Sequence, residues 1–90
     1  MPLRDIAALT NWRALDDPPE WVVARVHEWV LQLAVAPWRY PSVPETSVDD
    51  EDGNPIGEIR SAVLGDAEGV SVVYEYDLAT LTVDLIRVGR

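Results

Sequence analysis

Gly69-Val70-Ser71-Val72-Val73-Tyr74-Glu75-Tyr76-Asp77 and Thr80-Leu81-Thr82-Val83-Asp84-Leu85-Ile86-Arg87-Val88 stand almost back to back near the C-terminal end of the chain. In the first run the even positions 70, 72, 74 and 76 are apolar or aromatic. In the second the odd positions 81, 83 and 85 match them. A period of two puts each set on one face of a β-strand. Pairing the runs as a hairpin with Tyr76 opposite Leu81 sets Tyr74 opposite Val83 and Val72 opposite Leu85. Glu75 and Thr82 then lie on the other face. Immediately upstream, Glu58 to Leu64 reads as a third strand carrying Ile59 and Val63 on one face, and Gly65-Asp66-Ala67-Glu68-Gly69 as the turn that joins it to the next.

Further upstream the period changes from two to nearly four. Val22, Val26, Trp29, Val30 and Leu33 share a side while Arg25, Glu28 and Gln32 lie opposite, which predicts an amphipathic helix from Trp21 to Ala36. Asp16-Asp17-Pro18-Pro19-Glu20 is its start signal, since an Asp caps exposed N–H groups, proline fits the first turn, and acids favour the positive end of the helix dipole. Pro37 ends it, and Trp38-Arg39-Tyr40-Pro41 continues as extended chain. Residues 3–15 hold a weaker pattern, helical or partly extended with helix preferred, in which Leu3, Ile6, Ala7, Leu9, Trp12 and Leu15 share a side. The stretch 42–57, with its prolines, two glycines and the run Asp49-Asp50-Glu51-Asp52, has the composition of an acidic, solvated loop.

The expected architecture is therefore α+β: two N-terminal helices packed on a three- to four-stranded antiparallel sheet. With 90 residues, no internal repeat and no linker, the chain makes one domain over 1–90. No apolar run approaches the roughly 20 residues needed to span a bilayer. The start Met1-Pro2-Leu3-Arg4-Asp5 lacks the pattern of a secretory signal, so the cytoplasm is the expected location. The absence of Cys removes disulfides, thiolate nucleophiles and thiolate metal sites together.

Charge narrows the functional classes. Sixteen acids against seven bases give a net charge of −9, and every base is an Arg. Eight of the acids fall within residues 41–70 beside a single Arg. Neutralising phosphates supplies most of the affinity of a nucleic-acid binder, so autonomous binding of DNA or RNA is not expected, whereas a basic protein is a fitting partner.

Few constellations carry chemistry. Placing Gly53 at the glycine position of a calcium loop puts Val48 at the first ligand position and Ile59 where the bidentate Glu belongs, so that reading fails on spacing. A looser cation site at Asp49, Asp50 and Asp52 competes with plain solvation of the run. His27, the one histidine, sits inside the long helix with no nucleophile signature to serve. No Walker or dinucleotide fingerprint fits the five glycines, and no cofactor is expected. Trp12, Trp21, Trp29 and Trp38 are read as core or helix-packing residues, with one of Trp21 and Trp29 open to a partner. Arg60, Arg87 and Arg90 fall on or beside the sheet. If they converge, their guanidinium groups hold a phosphate or stabilise charge in phosphodiester cleavage; the competing reading is ion pairing to the abundant acids.

Pro18-Pro19-Glu20-Trp21-Val22-Val23-Ala24-Arg25-Val26 through Pro37, with Gly57-Glu58-Ile59-Arg60, Gly69 to Asp77 and Leu81 to Arg90, resembles the RelE/ParE superfamily of toxins from bacterial type II toxin-antitoxin pairs. The resemblance implies a second helix with its closing proline, a sheet whose concave face acts on the target, and a cognate antitoxin as partner. It further implies either poisoning of gyrase by protein binding or cleavage of ribosome-bound mRNA, with Arg60, Arg87 and Arg90 as the catalytic candidates in the second case. The chain departs from the family at Ser71, where an Arg often precedes the first valine of the strand. A basic or aromatic tail is not present, and the first strand is reduced to what Arg4 to Ala8 supply. These departures and the Lys-free acidity favour a gyrase-type or catalytically degenerate member. The alternative reading is a non-enzymatic acidic interaction domain that binds a basic protein.

Overall fold

The long helix forms where the apolar spacing asks for it. In the computed structural model, which describes residues 1–39 and 42–90, α1 spans Ala7–Asp16 and α2 spans Glu20–Val35. Val22, Val26, Val30 and Leu33 of α2 are buried along one stripe, joined by Val23, while Arg25 and Glu28 pair with each other on the solvent side. Asp5 Oδ1 accepts the N–H of Ala7 and so starts α1. Asp17 does not cap α2: it closes α1 in a left-handed conformation, φ 44°, and Pro19 precedes α2 with no side-chain cap. After Val35 the chain turns, with Arg39 N–H on the Ala36 carbonyl at 3.0 Å, rather than extending. The extended run expected at Tyr40 and Pro41 lies outside the described residues.

Five strands follow the order β1-β5-β4-β3-β2 across one sheet: β1 (Leu3–Asp5), β2 (Val43–Asp49), β3 (Pro55–Leu64), β4 (Val70–Asp77) and β5 (Thr82–Gly89). The α+β class and the helices on the sheet match expectation. The strand count and the purely antiparallel character do not, since β1 runs parallel to β5. Three residues are too few to show a period, and β1 is held by the Val83 N–H on the Pro2 carbonyl at 3.0 Å. The expected loop at 42–57 is instead strand β2, a turn at 50–54 and the start of β3. β2 escaped notice because nearly every residue in it is exposed, so neither face carries an apolar signature.

The alternation in β4 holds completely: Val70, Val72, Tyr74 and Tyr76 are buried against the helices. The register with β5 differs by two residues, with Tyr76 opposite Val83 and Tyr74 opposite Leu85. Asp77 pairs with Thr82 instead of turning, and its carboxylate accepts the N–H of Ala79 at 2.7 Å, so the turn is 78–81. A bulge at Ile86 then sets Val72 opposite Val88. In β3 the residues Ile59 and Val63 do share a face, but it is the one away from the helices. Ala62 and Leu64 are the buried apolar pair, and Arg60 shares their side. The expected turn after β3 contains a 3-10 turn, Gly65–Ala67, whose Ala67 is fully buried.

The core thus lies between α1, α2 and one face of the sheet, with Val26, Val72 and Tyr74 at zero exposure. Burial of side chains such as these stabilises by about 1.5–3 kcal/mol each. The opposite face carries Val43, Ile59, Val63 and Val73 without a covering layer, and Val63 is 65% exposed.

Candidate functional site

Arg60 is the sequence candidate that the fold treats most unusually. Its side chain enters the helix-covered side of β3 and is only 7% exposed. Nε donates to Ser42 Oγ at 2.9 Å, Nη2 to the Ser42 carbonyl at 3.0 Å, and Nη1 to Glu58 Oε2 at 2.6 Å. Ser42 Oγ donates in turn to the Arg39 carbonyl at 2.7 Å. Tyr74 donates its hydroxyl to the Pro37 carbonyl, and Tyr76 donates to Glu58 Oε2 at 2.9 Å. Trp38 stands edge-on to Tyr76, ring centres 6.0 Å apart. The network fastens Pro37, Trp38 and Ser42 onto the sheet.

Electrostatics in this cluster favour a fixed structure over proton transfer. The Arg60 guanidinium, followed by the Tyr76 hydroxyl, holds the Glu58 carboxyl below its ordinary range. Burial pushes the Tyr74 hydroxyl up; Tyr76 is raised by burial and then by its bond to Glu58. Glu58 is therefore a carboxylate and both tyrosines are neutral near pH 7, and none is poised as a general acid or base there. Every buried polar side-chain atom among the described residues has a partner.

The three candidate arginines are not brought together, contrary to the convergence expected from their places on the sheet. Arg87 pairs with Val73 across the ladder, so its exposed side chain lies on the face opposite Arg60. Arg90 binds Glu68 at 2.5 Å. The physical reason is the pleat together with the bulge at Ile86, which sets the parity of Arg87 independently of Arg60. Beside Arg90 lies a cavity of about 310 Å³ between the α1–α2 connection and the start of β4, floored by Trp12, Val22 and Val70 and rimmed by Asp16, Asp17 and Glu68.

The acids divide into two populations. Glu20, Glu28, Glu58, Asp66, Glu68 and Asp84 are paired with arginines. Asp66 also accepts the Trp29 indole N–H at 2.5 Å, and that bond, with Arg25 second, holds its carboxyl below the usual range. Among the described residues, Glu45, Asp49, Asp50, Glu51 and Asp52 on β2 and its turn have no arginine within ion-pair distance, nor have Asp5, Asp16 and Asp17 beside α1 or Glu75 and Asp77 on β4, the last two being close enough to Arg4 to add, after Asp84, to the rise in its pKa. Asp50 is spent on the turn itself: its Oδ1 accepts the N–H groups of Asn54 and Asp52, each at 2.9 Å, which lowers its pKa. Among the described residues no group of three His, Asp or Glu side chains is arranged to hold a metal ion.

Compared with family models, curated proteins and solved structures, the chain matches none. Its reading rests on its own geometry. Among the described residues, no helix is long and apolar enough to cross a membrane.

The turn between β4 and β5 was not singled out from sequence. Leu78 and Leu81 there are 52% and 58% exposed, and Leu81 has φ 55°. Two leucines stand in this short stretch, but Leu81 equally fits the period of two of the strand that follows it. Ser42 and Glu58 were missed because a hydroxyl and a carboxylate in a polar stretch look the same whether solvated or locked to a buried guanidinium.

Proposed function

We propose that this chain is a non-enzymatic interaction domain that binds a basic protein partner. The supporting observation is the run of acids on β2 and its turn. Among the described residues the five carboxylates of β2 and its turn, Glu45, Asp49, Asp50, Glu51 and Asp52, have no arginine partner and follow one another closely at one edge of the sheet. A field of one sign at one end of a small domain steers an oppositely charged partner and orients it. The test is an NMR titration with an Arg-rich peptide at low and high salt, using the chain and a variant with Asp49, Glu51 and Asp52 changed to their amides. Binding that weakens steeply with salt and with the amide changes supports the reading, because exposed charges are screened beyond about 8–10 Å at physiological ionic strength. Salt-independent binding removes it.

A RelE/ParE-like toxin, acting on gyrase and held by a cognate antitoxin, is the second reading, favoured by the helix pair on one face and the uncovered face opposite. In its enzymatic form, cleavage of ribosome-bound mRNA, it relies on arginines, and Arg60 is taken up by Ser42 and Glu58. Growth arrest on controlled expression tests this reading, with Arg87→Ala and Arg90→Ala as the accompanying variant because neither arginine anchors the core. No arrest by a folded product removes it.

A further inference from the structure

Leu81 breaks a local rule without any gain inside the fold. Among the described residues three non-glycine residues have positive φ: Asp17 at 44°, Glu68 at 57° and Leu81 at 55°. The first two are polar and close helical turns, and Glu68 holds Arg90. Leu81 is apolar, 58% exposed, and sits where Gly or Asn adopts the left-handed region with less strain. The turn is already built by Asp77, whose carboxylate accepts the N–H of Ala79 and Thr80, and by Leu78, whose N–H meets the Ile56 carbonyl at 2.6 Å. A strained, exposed leucine in a turn that polar groups already secure points to a use outside the chain.

Its surroundings say what that use is. Leu78 is 52% exposed on the same turn, and Trp38, also 52% exposed, rests on Tyr76 two residues earlier in β4. Asp77 flanks the leucines, and the turn bearing Glu51 and Asp52 lies at the same end of the sheet, because Gly57 near the start of β3 pairs with Asp77. Apolar anchors beside the acidic turn between β2 and β3 fit a partner that is apolar at its centre and basic at its edge. A second copy of this chain is disfavoured, since it would bring like charges together.

Resting on the basic-partner reading above, we infer that the β4–β5 turn is the docking tip: Leu78 and Leu81 insert against a basic amphipathic segment of the partner, while Glu51 and Asp52 of the neighbouring acidic turn hold its cations.

Two synthetic peptides of equal positive charge test it, one spacing Arg and Leu as an amphipathic helix and one with every Leu replaced by Ser. Affinity is measured with the full chain, Leu81→Asn and Leu78→Ser, and thermal midpoints are read alongside. The Arg/Leu peptide is expected to bind the parent chain roughly tenfold more tightly than the Arg/Ser peptide, the scale of one anchor residue. Either substitution is expected to erase that difference. Leu81→Asn is at the same time expected to melt a few degrees higher by relieving the turn, so lost binding is not lost folding. A preference for the Arg/Leu peptide that survives both substitutions overturns the docking tip. Equal affinity of the two peptides for the parent chain overturns it while sparing the basic-partner reading. Binding of neither peptide overturns both.

Discussion

Arg60 reaches back across 18 residues to hold both the hydroxyl and the carbonyl of Ser42, and with its remaining terminal nitrogen it holds Glu58. A guanidinium offers five N–H donors in a rigid fork, which is why one side chain can tie the entry of β2 to β3 and keep a neighbouring carboxylate charged.

Replacing Arg60 with Ala is expected to destabilise the domain by about 1–3 kcal/mol, because the buried Ser42 hydroxyl and carbonyl lose their donor while the half-buried Glu58 carboxylate turns to water. Arg60→Lys recovers part of this loss, since an ammonium cannot reproduce the three directed bonds. Chemical denaturation of the two variants checks the order, and an unchanged midpoint for Arg60→Ala would show that the network is not structural.

Arg87→Ala and Arg90→Ala should behave differently. Arg87 has no ion-pair partner among the described residues, and the Arg90 pair with Glu68 is well exposed. Exposed pairs contribute about 0–1 kcal/mol, so each substitution is expected to leave the melting midpoint nearly in place. The contrast with Arg60 separates a framework arginine from two surface ones in a single set of melts.

The carboxyl of Glu58 is held below its ordinary range by Arg60 and then by Tyr76. Its folded pKa is the depressed one, so the stabilisation is fully present above the unfolded value near 4.5 and is lost as the pH falls through the folded value. Glu58→Gln keeps an acceptor for Tyr76 but removes the titration. Urea midpoints measured from neutral to acid pH are expected to fall less for Glu58→Gln than for the parent chain, and parallel curves would contradict this assignment.

Gly57 has no room for a side chain: a Cβ built on it would stand 1.9 Å from the carbonyl oxygen of Tyr76. That neighbour is backbone in a paired strand and has little freedom to move. Gly57→Ala is expected to cost about 1–3 kcal/mol or more and to loosen the β3–β4 pairing at its open end. Hydrogen exchange of the amides around Gly57 and Asp77 reads this locally.

Helix α2 and strand β4 were legible from the chain alone because each buries a full stripe against a single neighbour, and the periods of 3.6 and two survive intact in Val22–Leu33 and Val70–Tyr76. The remaining strands each lack that condition. β2 buries neither face, β1 is too short to repeat, and β3 spends a covered position on Arg60 while Val63 faces outward. The hairpin register shifted because Leu81, an apolar residue that fits a strand pattern, is used in a left-handed turn.

The sequence by itself determined the α+β class, the single long amphipathic helix, the alternation of the central strand and the acidity of the segment between Glu45 and Asp52. Composition and periodicity are local properties, and local backbone geometry is enough to express them. Only the tertiary structure decided that Arg60 is buried on Ser42 and Glu58, that Arg87 and Arg90 lie elsewhere, and that the acidic turn after β2 shares one end of the sheet with Leu78 and Leu81. Those relations join residues far apart in the chain, and they depend on strand parity, a bulge and turn geometry that no single stretch of sequence contains.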